Sequence, residues 1–382
     1  MKKRILIVAM IDSVHTARWA EQFKDESVII YFYPSRKFRH IHPHLVGLLK
    51  SRGNARYKVL GSKWGYFIAG YIDFIRHELI KHSANRRIST LRKILAQSCF
   101  DYIHAIEIQG AGYLLTEIEK GLLKKSKLII TNWGSDIVFF LNKETDLEKI
   151  GKVLKIADYY SAECARDYDL ANQLGFSGVA LPCIPNAGGF RLAASKRKTT
   201  LASTRKQIIV KGYGGVFGRV DLVIPAIELI LSQYPIITVL FYSVTDDQIV
   251  NLRKLEKAYG QRIIYSTVRK PLEQSSILEE FANSRIYVGC SVSDGISTSF
   301  LQSLVSGAYP IQTNTSCAGE WIEKGAIATL IDLDTNQIYF AIKKALDDDE
   351  LVNKAQSQNE LVAQTVLDYK IIRQQALQFY GL

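Results

Sequence analysis

Ile286-Tyr287-Val288-Gly289-Cys290-Ser291-Val292-Ser293-Asp294-Gly295-Ile296-Ser297-Thr298-Ser299 decides the reading of this chain. Its first five residues are mostly apolar, as in a parallel strand covered on both faces. A short polar turn follows, and residues 298–305 then read as a helix. Gly295 permits a tight turn or a close backbone approach. Ser297, Thr298 and Ser299 bring hydroxyls and free amides to the helix start, where phosphate is readily held. Asp294 at the strand end suits hydrogen bonds from sugar hydroxyls. The same residues also suit a capped turn without a ligand, so both readings stand at this point.

The strand–helix alternation extends outward in both directions. Strands are expected at 207–210, 236–242, 262–266, 286–290 and 309–313. Helices are expected at 222–232, 246–259, 274–282 and 298–305. In the first half, strands are expected at 4–10, 28–33, 102–108, 127–132 and 158–162, with helices to about 24, over 111–123 and over 164–174. Two helices separated near Gln364 close the sequence. Such alternation builds doubly wound α/β domains. Residues 182–189 are rich in turn formers and 195–206 are polar and basic, which places the linker there. The expected units are 1–190 and 191–364. Two such domains facing across a cleft hold ligands at the C-terminal ends of their strands.

Bulk properties agree with this division. A chain of 382 residues exceeds one usual core. With 47% hydrophobic and 23% charged residues it is neither disordered nor collagen-like. No apolar run approaches the ~20 residues of a membrane span. The apolar stretch after Met1-Lys2-Lys3-Arg4 is short and ends at Asp12, so it reads as a first strand and not as a signal peptide. Five scattered cysteines with no C-x-x-C pair suggest a reducing compartment, and a cytoplasmic location is expected.

The net charge of +12 is concentrated. Fourteen lysines and arginines lie in residues 34–98, opposed only by Asp73 and Glu78. A local basic region implies an anionic partner: lipid headgroups, a phosphorylated substrate or nucleic acid. Within it, Trp64, Phe67, Ile68, Tyr71, Ile75 and Leu79 follow helical spacing. That helix suits either an anionic membrane surface or packing on its own domain. His40, His42 and His44 alternate as metal ligands on a strand would, but Pro43 interrupts pairing and no Cys or carboxylate lies close by, so a polar loop is expected and no metal.

Ser293 to Ile311 resembles the donor-site signature of glycosyltransferase family four, a retaining GT-B family. The signature has an acid, a Gly and small residues, then a second acid eight positions on, and a small-Gly pair before a strand with Pro. Asp294 stands at the first acid, and Gln302 replaces the second. Val210-Lys211-Gly212-Tyr213, with Gly214, Gly215 and Gly218-Arg219-Val220-Asp221, is similar to the family's diphosphate-holding loop. Trp133-Gly134-Ser135-Asp136 looks like part of its N-terminal domain. Asp101-Tyr102-Ile103-His104-Ala105-Ile106-Glu107 is similar to a strand bearing an active-site His, with the register open between His104 and Glu107 or Gln109.

The resemblance implies a GT-B glycosyltransferase whose C-terminal domain takes a nucleoside diphosphate sugar of UDP or GDP type, with residues 365–382 packing back on the first domain. It implies catalytic roles for Asp294, Arg219, Lys211, His104 and Glu107. The donor would touch Lys211, Gly212, Arg219, Val268, Arg269, Asp294, Gly295, Ile296, Ser297, Thr298, Ser299 and Gln302. Ser13, His15, Ser135 and Asp136 would face the acceptor, expected to be lipid-linked or an oligosaccharide of a surface glycan. No metal is implied. The basic region 34–98 would hold the protein on the inner face of the membrane. A sugar-nucleotide epimerase and a basic nucleic-acid-binding protein are the alternatives, and no nucleic-acid partner is expected.

Overall fold

The computed structural model describes residues 2–61, 83–192 and 200–382. It divides into two compact units, one of Met1–Gly188 with Ile372–Leu382 and one of Gly189–Ile371.

The first unit is built on a parallel sheet. Its strands are β1 Lys3–Ala9, β2 Val28–Pro34, β3 Arg56–Val59, β4 Tyr102–Ile106, β5 Lys127–Thr131, β6 Tyr159–Ser161 and β7 Val179–Ala180. Their order is β3-β2-β1-β4-β5-β6-β7. The apolar run of β1 is central because both of its faces are covered. Ile5, Ile7 and Ala9 pack with Trp19, Phe23 and Phe379. Leu6 and Val8 pack with Leu91, Leu115 and Val153 on the other side. Residues 372–382 complete the first of these layers. Trp19 Nε1 donates to Tyr380 Oη at 3.1 Å, and Arg373 Nε donates to the Gln22 carbonyl at 2.9 Å.

The second unit carries β8 Gln207–Lys211, β9 Thr238–Val244, β10 Ile263–Thr267, β11 Ser284–Gly289, β12 Tyr309–Thr313 and β13 Thr329–Ile331. They are also parallel, in the order β10-β9-β8-β11-β12-β13. Helices Val220–Gln233 and Thr335–Asp347 bury Val223, Ile227, Ile338 and Ile342 with Ile208 and Val210 of β8. Helix Thr298–Ser306 covers the opposite face with Phe300, Leu301 and Leu304. Both sheets have a point where the winding direction reverses, between β1 and β4 and between β8 and β11. Ligands of such sheets bind at the carboxyl ends of the strands flanking that point.

Several local expectations are corrected. The His40–His44 segment is not a loop throughout. It leads into helix Pro43–Lys50, with Pro43 in the first turn and the His42 ring as N-cap, Nδ1 accepting from His44 N at 3.3 Å. Proline is favoured there because its missing N–H would be unsatisfied anyway. His44 faces Glu21 at 3.4 Å. The single helix expected over 111–123 is three pieces: a wide turn at Ile108–Gly112, then Tyr113–Thr116 and Lys120–Leu123. The break expected near Gln364 falls later, because Asp349–Val366 is continuous. The amphipathic stretch 64–79 lies outside the described residues. Strands β3, β7 and β13 went unread because they are short and partly exposed, without the long apolar run of β1.

Candidate active site

The reversal point of the second unit is formed by the loops after β8 and β11. Gly212 follows β8, and its amide donates to the Tyr242 carbonyl at 2.8 Å. A Cβ there would sit 2.6 Å from Val244 Cγ2. Gly214 N is held by Thr245 Oγ1 at 2.9 Å and Gly215 N by Asp247 Oδ2 at 3.2 Å. The loop then closes on itself: a Cβ at Gly218 would lie 2.1 Å from the Tyr213 carbonyl oxygen, so only glycine fits. Tyr213, Val216 and Phe217 stay exposed.

Two backbone bonds stitch this loop to the one after β11. Arg219 N donates to the Cys290 carbonyl at 3.0 Å, and Val292 N donates to the Phe217 carbonyl at 2.8 Å. Residues 71 and 75 positions apart in sequence thereby share one rim. Arg219 opens helix Val220–Gln233 without capping it through its side chain. Its guanidinium instead pairs with Asp221, Nε to Oδ1 at 3.0 Å and a terminal nitrogen to Oδ2 at 2.9 Å. That pair fixes the fork while leaving other N–H donors of the five unspent. Lys211 Nζ lies 4.9 Å from the Tyr213 ring centroid.

Beyond β11, Asp294 is half-buried and Gly295 is buried, its carbonyl accepting from Cys317 N at 2.7 Å. Ser297 is the N-cap of helix Thr298–Ser306 but makes no side-chain cap bond. The hydroxyl expected to cap therefore does not, and the first-turn amides keep their need for an acceptor. Ser299 Oγ accepts from the buried Tyr242 hydroxyl, so this side chain anchors the helix to β9 and only its amide remains a ligand candidate. Ile296 is a core residue packed with Phe300 and Trp321, and Gln302 is 5% exposed on the buried helix face.

Val268 and Arg269 follow β10, which lies beyond β8 and β9 from β11. Val268 is exposed, and Arg269 is paired with Asp246. The structure thus gathers Lys211, Gly212, Arg219 and residues 294–299 at one point, and sets Val268 and Arg269 apart at the end of the outer strand.

In the first unit the register question has a definite answer. His104 is fully buried. Nδ1 is 2.7 Å from Tyr380 Oη and Nε2 is 2.6 Å from Thr131 Oγ1. Burial pushes its pKa down to about 3. The catalytic role expected for His104 is therefore corrected: both nitrogens are spent inside the core and the ring stays neutral. Glu107 stands at the end of β4 with φ 85° and caps the wide turn, accepting from Gly110 N and Ala111 N at 3.0 Å each. Its carboxyl is raised by burial, against the lowering effect of these amides, the Ser35 hydroxyl and Arg36.

Asp136 lies beside it at the end of β5, Oδ2 accepting from Ile108 N at 2.8 Å and Trp133 N at 2.9 Å. Burial, then the Glu107 charge, raise the Asp136 carboxyl to about 8. Ser13 caps helix Val14–Glu21 by accepting from His15 N, and the His15 ring meets Trp133 edge-on at 5.6 Å. Ser135 belongs to the turn that presents Asp136. The carboxyl ends of β1, β4 and β5 therefore bring Ser13, His15, Glu107 and Asp136 to the reversal point of this sheet. Sequence reading missed the buried cluster next to it: Asn132 Nδ2 donates to Asp167 Oδ2 at 2.7 Å, and Asn186 Nδ2 to the Asn132 carbonyl at 3.0 Å. No spacing connects these three positions, so no sequence signal was there to find.

Residues 66–161 match a family model described as Glycosyl transferase 4-like. No curated protein matches. Among solved structures, a sucrose-phosphate synthase from Thermosynechococcus elongatus superposes with TM-score 0.71 at 14% identity, covering 99% of this chain and 98% of that one. Anabaena HepE, solved in complex with UDP-glucose, gives 0.69 at 12% identity, covering 98% of each chain. S. aureus TarM, solved with UDP, gives 0.71 at 9% identity over 100% of both chains. At these identities the superpositions establish the fold. The two parallel α/β units and these superpositions give the chain a GT-B fold, and about a quarter of it, residues 66–161, is similar to the glycosyl transferase 4-like model.

Proposed function

We propose that the chain transfers a glycosyl group, with retention of anomeric configuration, from a nucleoside diphosphate sugar to a lipid-linked or polysaccharide acceptor of a surface glycan. One observation carries the reading. The Arg219–Cys290 and Val292–Phe217 backbone bonds put the cations of one loop beside the uncapped helix start of the other. Lys211, Arg219 and the amides of residues 298–299 then supply what a departing diphosphate needs: fixed positive charge and aimed N–H donors. These cations do the charge-neutralising work for which a divalent ion would otherwise serve, so we propose transfer without a metal. The half-buried Asp294 receives hydrogen bonds from the sugar. HepE and TarM were each solved with a uridine nucleotide, which favours a UDP sugar as the first donor to try.

The acceptor is assigned to the first unit, at Ser13, His15, Glu107 and Asp136. We also propose that the basic region 34–98 rests on anionic lipid. No helix among the described residues is long and apolar enough to cross a membrane. Some of the cations in this region are already committed. Arg36 pairs with Asp12, Arg92 with Glu119, and Arg87 donates to the Ser35 carbonyl. A thermal-shift panel of UDP, GDP, ADP and CMP sugars tests the donor site. Stabilisation by one nucleotide class, absent in Arg219→Ala, is the expected result. No stabilisation by any of them would sink the reading.

A further inference from the structure

The N-terminal ends of β1, β4, β5, β6 and β7 line a basin of about 1080 Å³. It lies at the far end of the first sheet from Ser13, Glu107 and Asp136, some ~15 Å away along five-residue strands. Lys2, Lys3, Arg4, Lys124, Lys125 and Lys127 all contribute to its wall, against the carboxylates of Asp101 and Asp158. Both carboxylates are occupied by backbone amides, Asp101 by Arg4 N at 2.7 Å and Asp158 by Leu128 N at 2.8 Å.

Lys124, Lys125 and Lys127 are exposed. Lys127 Nζ is held between two rings, 5.9 Å from the centroid of Tyr102 and 5.7 Å from that of Tyr159. Helix ends offer one ordinary reason for lysines here, since a helix C-terminus attracts cations. Lys3 serves that kind of purpose, donating to the Tyr380 and Gly381 carbonyls at 2.7 Å each. Lys124, Lys125 and Lys127, however, follow a helix of only four residues, Lys120–Leu123, whose dipole is small. All three line the one basin.

We propose that this basin is a second binding site, for a ligand bearing a phosphate group. Lys124, Lys125 and Lys127 supply the exposed charge, since Lys2 Nζ donates to the Asn54 carbonyl at 2.8 Å, Lys3 is held by the Tyr380 and Gly381 carbonyls and the Arg4 guanidinium lies over the Tyr31 and Phe100 rings, and a phosphate monoester carries close to two negative charges near neutral pH. Ammonium groups bind phosphate as point charges without the planar fork that carboxylates favour. The site stands independently of the donor site, because it shares no residue or strand end with it. The phosphate comes either from a soluble ligand or from lipid headgroups.

The test compares the full chain with the triple variant Lys124→Glu, Lys125→Glu, Lys127→Glu, both also carrying Arg219→Ala to weaken the donor loop. Tripolyphosphate is titrated calorimetrically, and co-sedimentation is measured on phosphatidylglycerol and phosphatidylcholine vesicles. Tripolyphosphate affinity that falls at least tenfold in the triple variant supports the site with a soluble ligand. Retention on phosphatidylglycerol vesicles alone, lost in the triple variant, supports a headgroup phosphate. Equal behaviour of the two proteins in both arms, or no binding of either probe by the parent, overturns the proposal. The set Lys124→Ala, Lys125→Ala, Lys127→Ala replaces the reversals if those melt early.

Discussion

The amide of Arg219 donates to the carbonyl of Cys290 at 3.0 Å. This bond ties the start of helix Val220–Gln233 to the end of β11. It sets the Arg219 side chain beside the loop that carries Asp294. In the proposed reaction a residue so placed acts on the charge of the leaving group and not on the core, since its guanidinium is partly exposed. Arg219→Ala is expected to lower kcat by ~10²–10³ fold, the usual loss for one preorganised charge donor. The melting temperature should hardly move. Kinetics beside a thermal melt decide it, and a variant with parental turnover removes Arg219 from the chemistry.

Asp294→Asn keeps the shape of the side chain and removes its charge. Sugar handling should suffer more than nucleotide affinity, with kcat reduced ~10-fold or more while the nucleotide Kd stays within about twofold. Equal losses for UDP and UDP sugar would place Asp294 at the nucleotide instead.

Gly218→Ala tests the loop itself. Its Cβ would meet the Tyr213 carbonyl at 2.1 Å, so the loop must open. Overpacking of this kind costs ~1–3 kcal/mol. If the loop holds the donor, most of that cost should be read as nucleotide affinity lost about tenfold or more in calorimetry. An unchanged Kd would show that the loop stays clear of the ligand.

His104 gives a pH dependence with a definite sign. Its folded pKa, about 3, lies below the unfolded value of ~6.5, so the unfolded chain binds more protons between these limits. Stability is complete above ~6.5 and is lost as pH falls toward 3. The loss from this residue at pH 5 is on the order of 2 kcal/mol. His104→Gln should flatten the acid limb of urea midpoints whatever it does to stability at pH 7. Parallel acid limbs in parent and variant would contradict the burial account.

Asp136 has the opposite sign. Its folded pKa, about 8, lies above the unfolded ~3.9, so its contribution is complete below the unfolded value and is lost as pH rises through 8. Asp136→Asn keeps an acceptor for Ile108 N and Trp133 N and removes the titration. It should therefore gain stability relative to the parent between pH 6 and 8. Asp136→Ala, which strands both amides, should lose ~1–3 kcal/mol. Denaturation curves of the three proteins at pH 5 and pH 8 separate the two effects.

The sequence by itself determined the α/β class, most strands and the loops proposed to hold the donor. Apolar runs such as those of β1 and β11 are buried on both faces and announce themselves locally. Gly218, Arg219, Asp294 and Ser297 were legible for a similar reason, because a tight turn before a helix has few permitted residues. What no local pattern holds is which groups end up satisfied. His104 looked available until Tyr380, 276 positions away, took its Nδ1. Ser299 was claimed by Tyr242, and His42 became a helix cap instead of a loop residue. The lysine basin, too, exists only because five strands that are separate in sequence begin side by side. Propensity and period act over a few residues, so the chain could write its elements. Burial and hydrogen-bond partners depend on which distant elements meet, and that only tertiary packing decided.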